Sequence, residues 1–575
     1  MSLSKEPSDW SPSWFKVGII SVFVLSLCLR FWGLGRFNSL VFDEVYYVKF
    51  AHDYLTQTPL FDGHPPLSKY LIAIGIWIGN QLPIGRDTVN SLAGAPYSTW
   101  SYRWLGALTG SFIPLVIAGI AYQVSHRRRY AFLAALFAAL DGLFLVESRY
   151  ALNNVYLVIF GLLGLWCLLL ALNGRSLWRS AWLLLAGIFW GASASIKWNG
   201  LWFLVGAYGL WLTAWVIDSL RRWFFAEPAS MPGTVATGAV IDRSSSSPLQ
   251  RLARIAPWQV VLNFGLIPAV FYRLIWIPHL KFNTTVGFWE LQKQMLEYHE
   301  RVGNGPQVHP YCSDWYTWIV MLRPVAYYYK VEAVGGPLMS SDPAVHPGST
   351  VIYDVHAMGN PVLWWLSTAA MLLMMEALLL QLIVWCIQRW RSGGSPHAIA
   401  GVLNPTDFCL WLLLVLSEFA QLVIQRSAAA LPWNPTPILI GLKVVLAVSL
   451  LYRFITKVRI HLTSDGHTHS QPQVGATELW LVLVLVVNYV ANLLPWVGVT
   501  RCTFLYHYMG ASVFASLAIA WLIDRWLRDQ RQHWRMLSIA AVTLIVMAFI
   551  YWLPIYLGLP LSPAAFQHRM VSTWI

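Results

Sequence analysis

Charge is what this sequence has least of. Only 11% of its 575 residues are Asp, Glu, Lys or Arg, against about 25% in an ordinary water-soluble domain. Too few charges are present to cover a water-facing surface, which excludes a soluble multi-domain protein. Cysteine is sparse as well. Six are scattered at positions 28, 167, 312, 386, 409 and 502, with no CxxC pair, so neither a zinc site nor a dithiol redox motif is signalled. No other metal-ligand cluster is visible, and no metal and no cofactor are expected. Four of the cysteines fall in apolar runs as packing residues, whereas Cys312 and Cys502 fall in segments read below as external and are free to pair. A small-residue cleavage site is also missing after the first apolar run, so that run is expected to stay as a span rather than leave as a signal peptide.

What fills the chain instead is apolar. Hydrophobic residues make up 57% of it and the mean hydropathy is +0.54. Runs of roughly 20 apolar residues recur, each long enough to cross a hydrocarbon core of about 30 Å. They fall near 17–35, 104–124, 131–147, 152–172, 181–196, 200–217, 258–278, 361–387, 406–425, 437–455, 478–496, 503–523 and 537–557. The expected fold class is an all-α polytopic membrane protein, a bundle of about 11–13 transmembrane helices in a lipid bilayer. The 33 Trp and 25 Tyr suit aromatic belts at its two interfaces.

The net charge of +13 points to orientation rather than to a nucleic-acid partner, because the basic residues cluster in short loops between apolar runs. With the N-terminus in the cytoplasm, Arg127 to Arg129, Arg175 and Arg179, Arg221 and Arg222, Arg389 and Arg391, Arg453 to Arg459, and Arg525 to Arg535 all fall inside, as the positive-inside rule requires. Three regions follow. Residues 1–278 form an N-terminal transmembrane module with a first outer loop, 36–103, and a flexible cytoplasmic linker, 218–257. Residues 279–360 form a second outer loop, and 361–575 a C-terminal transmembrane module. The polar stretch 461–473 is also read as inside. In the first outer loop, 67–78 is apolar but too short to span. It follows Pro65-Pro66, with Asp62 as a candidate cap. In the second, 288–299 has helical spacing. Both are expected to lie at the outer interface and frame a cavity.

Three groups of residues carry chemistry. Asp43 and Glu44 are adjacent carboxylates just past the first span. They are either a solvated interfacial pair or a general base able to take a hydroxyl proton from within about 3 Å. His64 stands before two prolines that fix the backbone, in Asp62-Gly63-His64-Pro65-Pro66-Leu67-Ser68-Lys69, and is either structural or aimed at a substrate. Arg149, Lys197, Arg323 and Arg501 are cations at outer span ends. They either form internal ion pairs, Arg149 with Glu147 for example, or grip a lipid-linked phosphate.

Taken together, Phe42-Asp43-Glu44, His64-Pro65-Pro66-Leu67-Ser68-Lys69, Ser148-Arg149-Tyr150 and Lys197-Trp198 resemble the protein O-mannosyltransferase family, membrane enzymes of the GT-C class that use lipid-phosphate sugars. His309-Pro310-Tyr311, Trp315, Trp318, Arg323-Pro324, Gly359-Asn360-Pro361-Val362, Pro495-Trp496 and Tyr506-His507-Tyr508 extend the resemblance to about residue 525. No single match is specific; the order and spacing are. The resemblance implies a GT-C bundle in the cell membrane with its active site on the outer face. It implies a polyprenyl-phosphate-mannose donor and Ser/Thr acceptors on secreted or membrane proteins. Asp43 would be the base and Glu44 a second catalytic carboxylate. Arg149, Lys197 and Arg323 would hold the donor phosphate, and His64, Lys69, Trp198, Asn199 and His507 would contact substrate. The chain departs from the eukaryotic pattern. Its second outer loop, of about 80 residues, is too short for the β-trefoil module found there, so the bacterial type is expected. It also carries two more spans than the family usually has, at about 406–455.

Two alternatives are set against this. A related transferase acting on a glycolipid, of the aminoarabinose-transferase kind, would carry Lys before the two prolines, where this chain has His64. A transporter would place its charges near the bilayer midplane, whereas here they gather at outer span ends.

Overall fold

The computed structural model describes residues 9–174, 176–224, 247–336, 340, 342–391, 403–426, 434–463 and 472–575. Most of the linker read at 218–257 and of the polar stretch at 461–473 lies outside these residues. The chain begins with α1 (Pro12–Phe31), whose N-terminus is capped by the Ser11 hydroxyl accepting from Trp14 N–H and by proline in the first turn. Two short helices follow, α2 (Glu44–Thr56) and α3 (Leu67–Gly79), then the long α4 (Thr99–Ser125). Ser98 caps α4. Pro66, not Asp62, occupies the cap position of α3, without a side-chain cap bond.

The span read at 131–147 is two helices, α5 (Arg128–Ala139) and α6 (Gly142–Arg149), bent by 56°. Asp141 makes the break. Its carboxylate takes the Phe144 N–H at 3.0 Å and starts a new helix in the middle of the apolar run. The freed Leu140 carbonyl is met by the Asn360 side-chain amide, which also donates to Ile545 O. Glycine is needed at the bend, because a Cβ on Gly142 would lie 2.2 Å from the Tyr556 ring. Next come α7 (Asn154–Asn173), α8 (Ser176–Ala194) and α9 (Leu201–Phe224). Among the described residues eleven helices are long and apolar enough to cross a membrane, and the bent pair makes up to twelve. The sequence reading of about thirteen also counted α8, which packs along α7 but falls outside that apolar set.

Beside the helices, the described residues hold two antiparallel hairpins, both in the long loops. The small one pairs β1 (Val89–Asn90) with β2 (Tyr97–Ser98). The larger pairs β3 (Val325–Ala333) with β4 (Thr350–Ala357), in a register running from Val325 opposite Ala357 to Ala333 opposite Thr350. Ile352 extends it by exchanging backbone hydrogen bonds with Leu561. The interfacial helix read at 288–299 is present as Phe288–Arg301. Cys312 and Cys502 are joined as a disulfide, which ties the second long loop to the turn after the helix Pro472–Leu493.

The helices Pro405–Arg426 and Thr436–Thr463, which hold the spans read at 406–455, are joined to each other by ion pairs of Lys443 with Glu418 at 2.7 Å and Lys457 with Asp407 at 2.6 Å, and to the helix Pro361–Arg391 by Lys457 with Glu376 at 2.9 Å. Basic residues meet at one end of the bundle, where Asp524 receives Arg127, Arg129 and Arg528. There Asp9, just before α1, accepts from the N–H of Arg128. The far ends of α1 and α4 lie at the opposite end of the bundle, with the loop leading to Asp43.

Candidate functional site

Phe42 has φ +52°, a left-handed backbone that a bulky residue adopts only when its surroundings demand it. The demand is visible: its ring stacks on Tyr327 of β3 at 4.2 Å, nearly parallel. This turn sets up Asp43. Asp43 holds the N-cap position of α2, yet its side chain makes no cap bond. Its backbone carbonyl does the work instead, accepting from the Tyr46 and Tyr47 N–H groups. The carboxyl is left to face the bundle, where burial raises its pKa to about 6, against the pull of Lys197 and with a further push from Asp62.

Lys197 approaches from the turn between α8 and α9. Its backbone is extended, and its ammonium donates to Asn154 Oδ1 at 3.1 Å and lies 5.2 Å from the centre of the Tyr506 ring. Burial lowers its pKa to about 8, opposed by the charges of Asp43 and Glu147 and assisted by Arg501. His64 completes the group, its ring 5.2 Å from that of His299. Burial, with Lys197, His299, Lys69 and Arg501 adding to it, holds His64 neutral well below the usual histidine range. Burial and Arg501 push His299 down to about 4. Asp43, Lys197, His64, His299 and Arg501 therefore share one electrostatic neighbourhood: a carboxyl able to take a proton, beside cations able to hold an anion. Among the described residues no group of three or more His, Cys, Asp or Glu side chains is placed to hold a metal ion.

Other residues read as site candidates are occupied elsewhere. Glu44 is fully buried, and both oxygens are bound by Arg103 as well as by the backbone N–H groups of Val41 and Ala151. No lone pair remains for a substrate, so its assignment as catalytic is corrected to a structural pin. Arg149 does not pair with Glu147 and does not face Asp43. Its guanidinium caps the end of α1, donating to the carbonyls of Leu29, Arg30, Trp32 and Gly33. Arg323 donates to the carbonyls of Pro310, Thr573 and Ile575 and lies over Tyr311. It anchors the C-terminal residues rather than a phosphate. The three N–H donors of Lys69 go to Asp62 Oδ2 at 2.6 Å and to the carbonyls of His64 and Pro65. It shapes the turn that aims His64, which corrects its reading as a substrate contact.

Trp198 forms part of the wall. Its indole N–H donates to the Tyr272 hydroxyl, and its ring lies 6.1 Å from His299. Asn199 is half-buried in the same turn. His507 is wedged between Trp318 and Trp496, with Nδ1 engaged by the Phe504 backbone. The sequence reading left out of its site Glu147, Asn154, Tyr327, His299 and Tyr506. Glu147 was considered only as a partner for Arg149, and Tyr327 sits in a strand that went unread.

Comparison with known proteins identifies the family. Residues 20–227 match the family model for dolichyl-phosphate-mannose-protein mannosyltransferase. Residues 284–411 and 430–574 match that for the C-terminal four-transmembrane region of protein-O-mannosyltransferase. The polyprenol-phosphate-mannose–protein mannosyltransferase of Corynebacterium glutamicum is 26% identical over 68% of this chain and 76% of its own length. The protein of that name from Mycobacterium tuberculosis is 23% identical over 63% of this chain and 70% of its own. In structure, the chain is similar to the Saccharomyces cerevisiae protein O-mannosyltransferase Pmt1–Pmt2 complex bound to the sugar donor, with a TM-score of 0.64 and 13% identity over 99% of this chain and 95% of that one. The chain belongs to the protein O-mannosyltransferase family and is a multi-pass membrane glycosyltransferase of the GT-C fold.

Proposed function

We propose that this enzyme transfers mannose from a polyprenyl-phosphate donor to Ser or Thr hydroxyls of proteins on the outer face of the membrane, with Asp43 as general base. The acceptor oxygen attacks the anomeric carbon and its proton passes to Asp43. The bond from that carbon to the phosphate oxygen breaks, and its electron pair leaves with the polyprenyl phosphate. One displacement inverts the sugar carbon. The leaving phosphate gains charge as the bond breaks, and a nearby cation stabilises it most at that moment. Lys197 takes this role, with Arg501 replacing Arg149 and Arg323 as the second positive group. His64, Trp198, Asn199 and His507 line the surroundings in which the sugar and acceptor are held.

The observation that carries the reading is that half-buried Asp43 and buried Lys197 lie near enough for each charge to act on the other without being joined in an ion pair. The disulfide Cys312–Cys502, next in sequence to Arg501, supports an outer-face site, since such bonds persist in oxidising compartments. So does the gathering of Arg127, Arg129 and Arg528 at the other end. The test is to incubate purified enzyme with polyprenyl-phosphate mannose and a Ser/Thr peptide and to weigh the peptide. A mass gain of one hexose that disappears in Asp43→Asn is expected; transfer at the normal rate by that variant would remove Asp43 from the role.

A further inference from the structure

Glu147 is a fully buried carboxylate that makes no salt bridge to Arg149, two positions on. Its oxygens are taken by two neutral donors. The Tyr327 hydroxyl donates to Oε1, and the Asn154 side-chain amide donates to Oε2 at 3.1 Å. The carbonyl side of the same Asn154 amide accepts from Lys197 at 3.1 Å. A primary amide has two unlike ends, and turned by 180° it would present N–H donors to the ammonium. Ionised Glu147 can only accept, so in that state it fixes which end of Asn154 meets Lys197. Tyr327 also has a second engagement, since its ring lies flat on Phe42 at 4.2 Å and Phe42 carries the strained turn that delivers Asp43.

We propose that Glu147 and Tyr327 are positioning residues that hold the two halves of the site in register. The ring of Tyr327 seats Phe42 and hence Asp43, while its hydroxyl, through Glu147 and Asn154, aims Lys197. The second long loop, which supplies β3, thereby acts on a centre built from the first loop and from the α8–α9 turn. This inference rests on the roles proposed above for Asp43 and Lys197. The groups whose charge or ring faces Lys197 are Asp43, Asp62, Glu147, Arg501, the Tyr506 ring and the imidazoles of His64, His299 and His507. Removing the negative charge of Glu147 withdraws support from the charged ammonium, so Lys197 loses its proton at lower pH.

The two arms separate by experiment. Glu147→Gln is expected to raise the KM for polyprenyl-phosphate mannose about tenfold, the size of one lost charge-assisted hydrogen bond, and to move the basic limb of the pH–rate profile to lower pH. Tyr327→Phe keeps the ring and loses only the hydroxyl, so it raises the donor KM and leaves kcat near normal. Tyr327→Leu loses the ring as well and lowers kcat too. A readout that needs no turnover is competitive labelling of Lys197 by acetic anhydride against pH, read by mass spectrometry. Its midpoint is expected to fall in Glu147→Gln. Should that variant fail to fold, Tyr327→Phe carries the same KM and labelling measurements. If Asp43→Asn keeps its transfer activity while the Lys197 midpoint still moves in Glu147→Gln, the relay stands and the base assignment falls. Folded variants at Glu147 and Tyr327 with unchanged donor KM, basic limb and labelling midpoint would overturn the proposal.

Discussion

Glu44 and Arg103 meet in a two-pronged ion pair, Nε to Oε1 at 2.9 Å and Nη2 to Oε2 at 2.8 Å, with both side chains fully buried. Arg103 also donates to the carbonyls of Leu34, Phe37 and Ser39. The pair therefore ties the loop between α1 and α2 to the start of α4. Removing one partner strands the other charge, at a cost of about 3–5 kcal/mol. Arg103→Ala and Glu44→Ala should lower the melting temperature strongly and lose activity with it. A Glu44→Ala protein with normal melting and no transfer would instead restore Glu44 to the chemistry.

The pH profile should be bell-shaped. Transfer needs Asp43 without its proton and Lys197 with one, so the rate falls below about 6 and above about 8. The same burial has a stability consequence. Asp43 holds its proton more tightly in the fold than in the unfolded chain, so it destabilises the protein in full above about 6, and that penalty fades as pH falls towards the ordinary aspartate value of about 4. Asp43→Asn, inactive, should melt higher than the parent at pH 7.5, by at most about 3 kcal/mol in stability. A lower melting point would show that the carboxylate is better solvated than its surroundings indicate.

Arg149 and Lys197 should part company in kinetics. Lys197→Ala is expected to raise the donor KM and lower kcat with little change in melting. Arg149→Ala removes four carbonyl partners and is expected to cost about 2–4 kcal/mol while the surviving folded enzyme keeps its donor KM. Donor titrations beside melting curves decide it, and a donor KM changed equally in both would return Arg149 to the phosphate.

Breaking the Cys312–Cys502 bridge opens a loop of 190 residues. Chain entropy alone then predicts a loss of about 5 kcal/mol. Cys502→Ser should melt lower and transfer more slowly, since the Arg501 guanidinium donates to the Cys502 carbonyl. Alkylation of the parent before and after reduction should reveal two additional thiols.

Orientation is open to direct labelling. A cysteine at Ser125, the last residue of α4, should react from the cytoplasmic side only. Reaction from outside would invert the topology.

Much of the bundle was legible because length and hydropathy decide a span, and each apolar run read from the sequence is helical. The exceptions are instructive. Residues 131–147 read as one span because apolar content is blind to a cap, and one buried carboxylate, Asp141, divides the run. The β3 run Val325-Ala326-Tyr327-Tyr328-Tyr329-Lys330-Val331 carries the β-branched and aromatic residues of a strand, but it is buried at Val325 and Tyr327 and exposed further on, without a clean alternation. At the site, residue type and depth picked out Asp43, Lys197 and His64. Type and depth could not show where a guanidinium's donors go. Those of Arg149 end on carbonyls more than a hundred residues away, and those of Arg323 on residues at the far C-terminus. Glu147 adjoins the Ser148-Arg149-Tyr150 motif, yet the tyrosine whose hydroxyl it accepts from lies 180 positions on.

The break between α5 and α6 has a cost that falls on a distant part of the chain. Hydrocarbon offers no water to a bare peptide carbonyl, and at the bend the amide of Asn360 supplies a donor in its place. The Asn360 amide thus serves as joinery between the bend and the helix that carries Ile545. Straightening the bend by replacing Asp141 would release Asn360 from that duty, and lesions at these two positions, 219 residues apart, should behave as one.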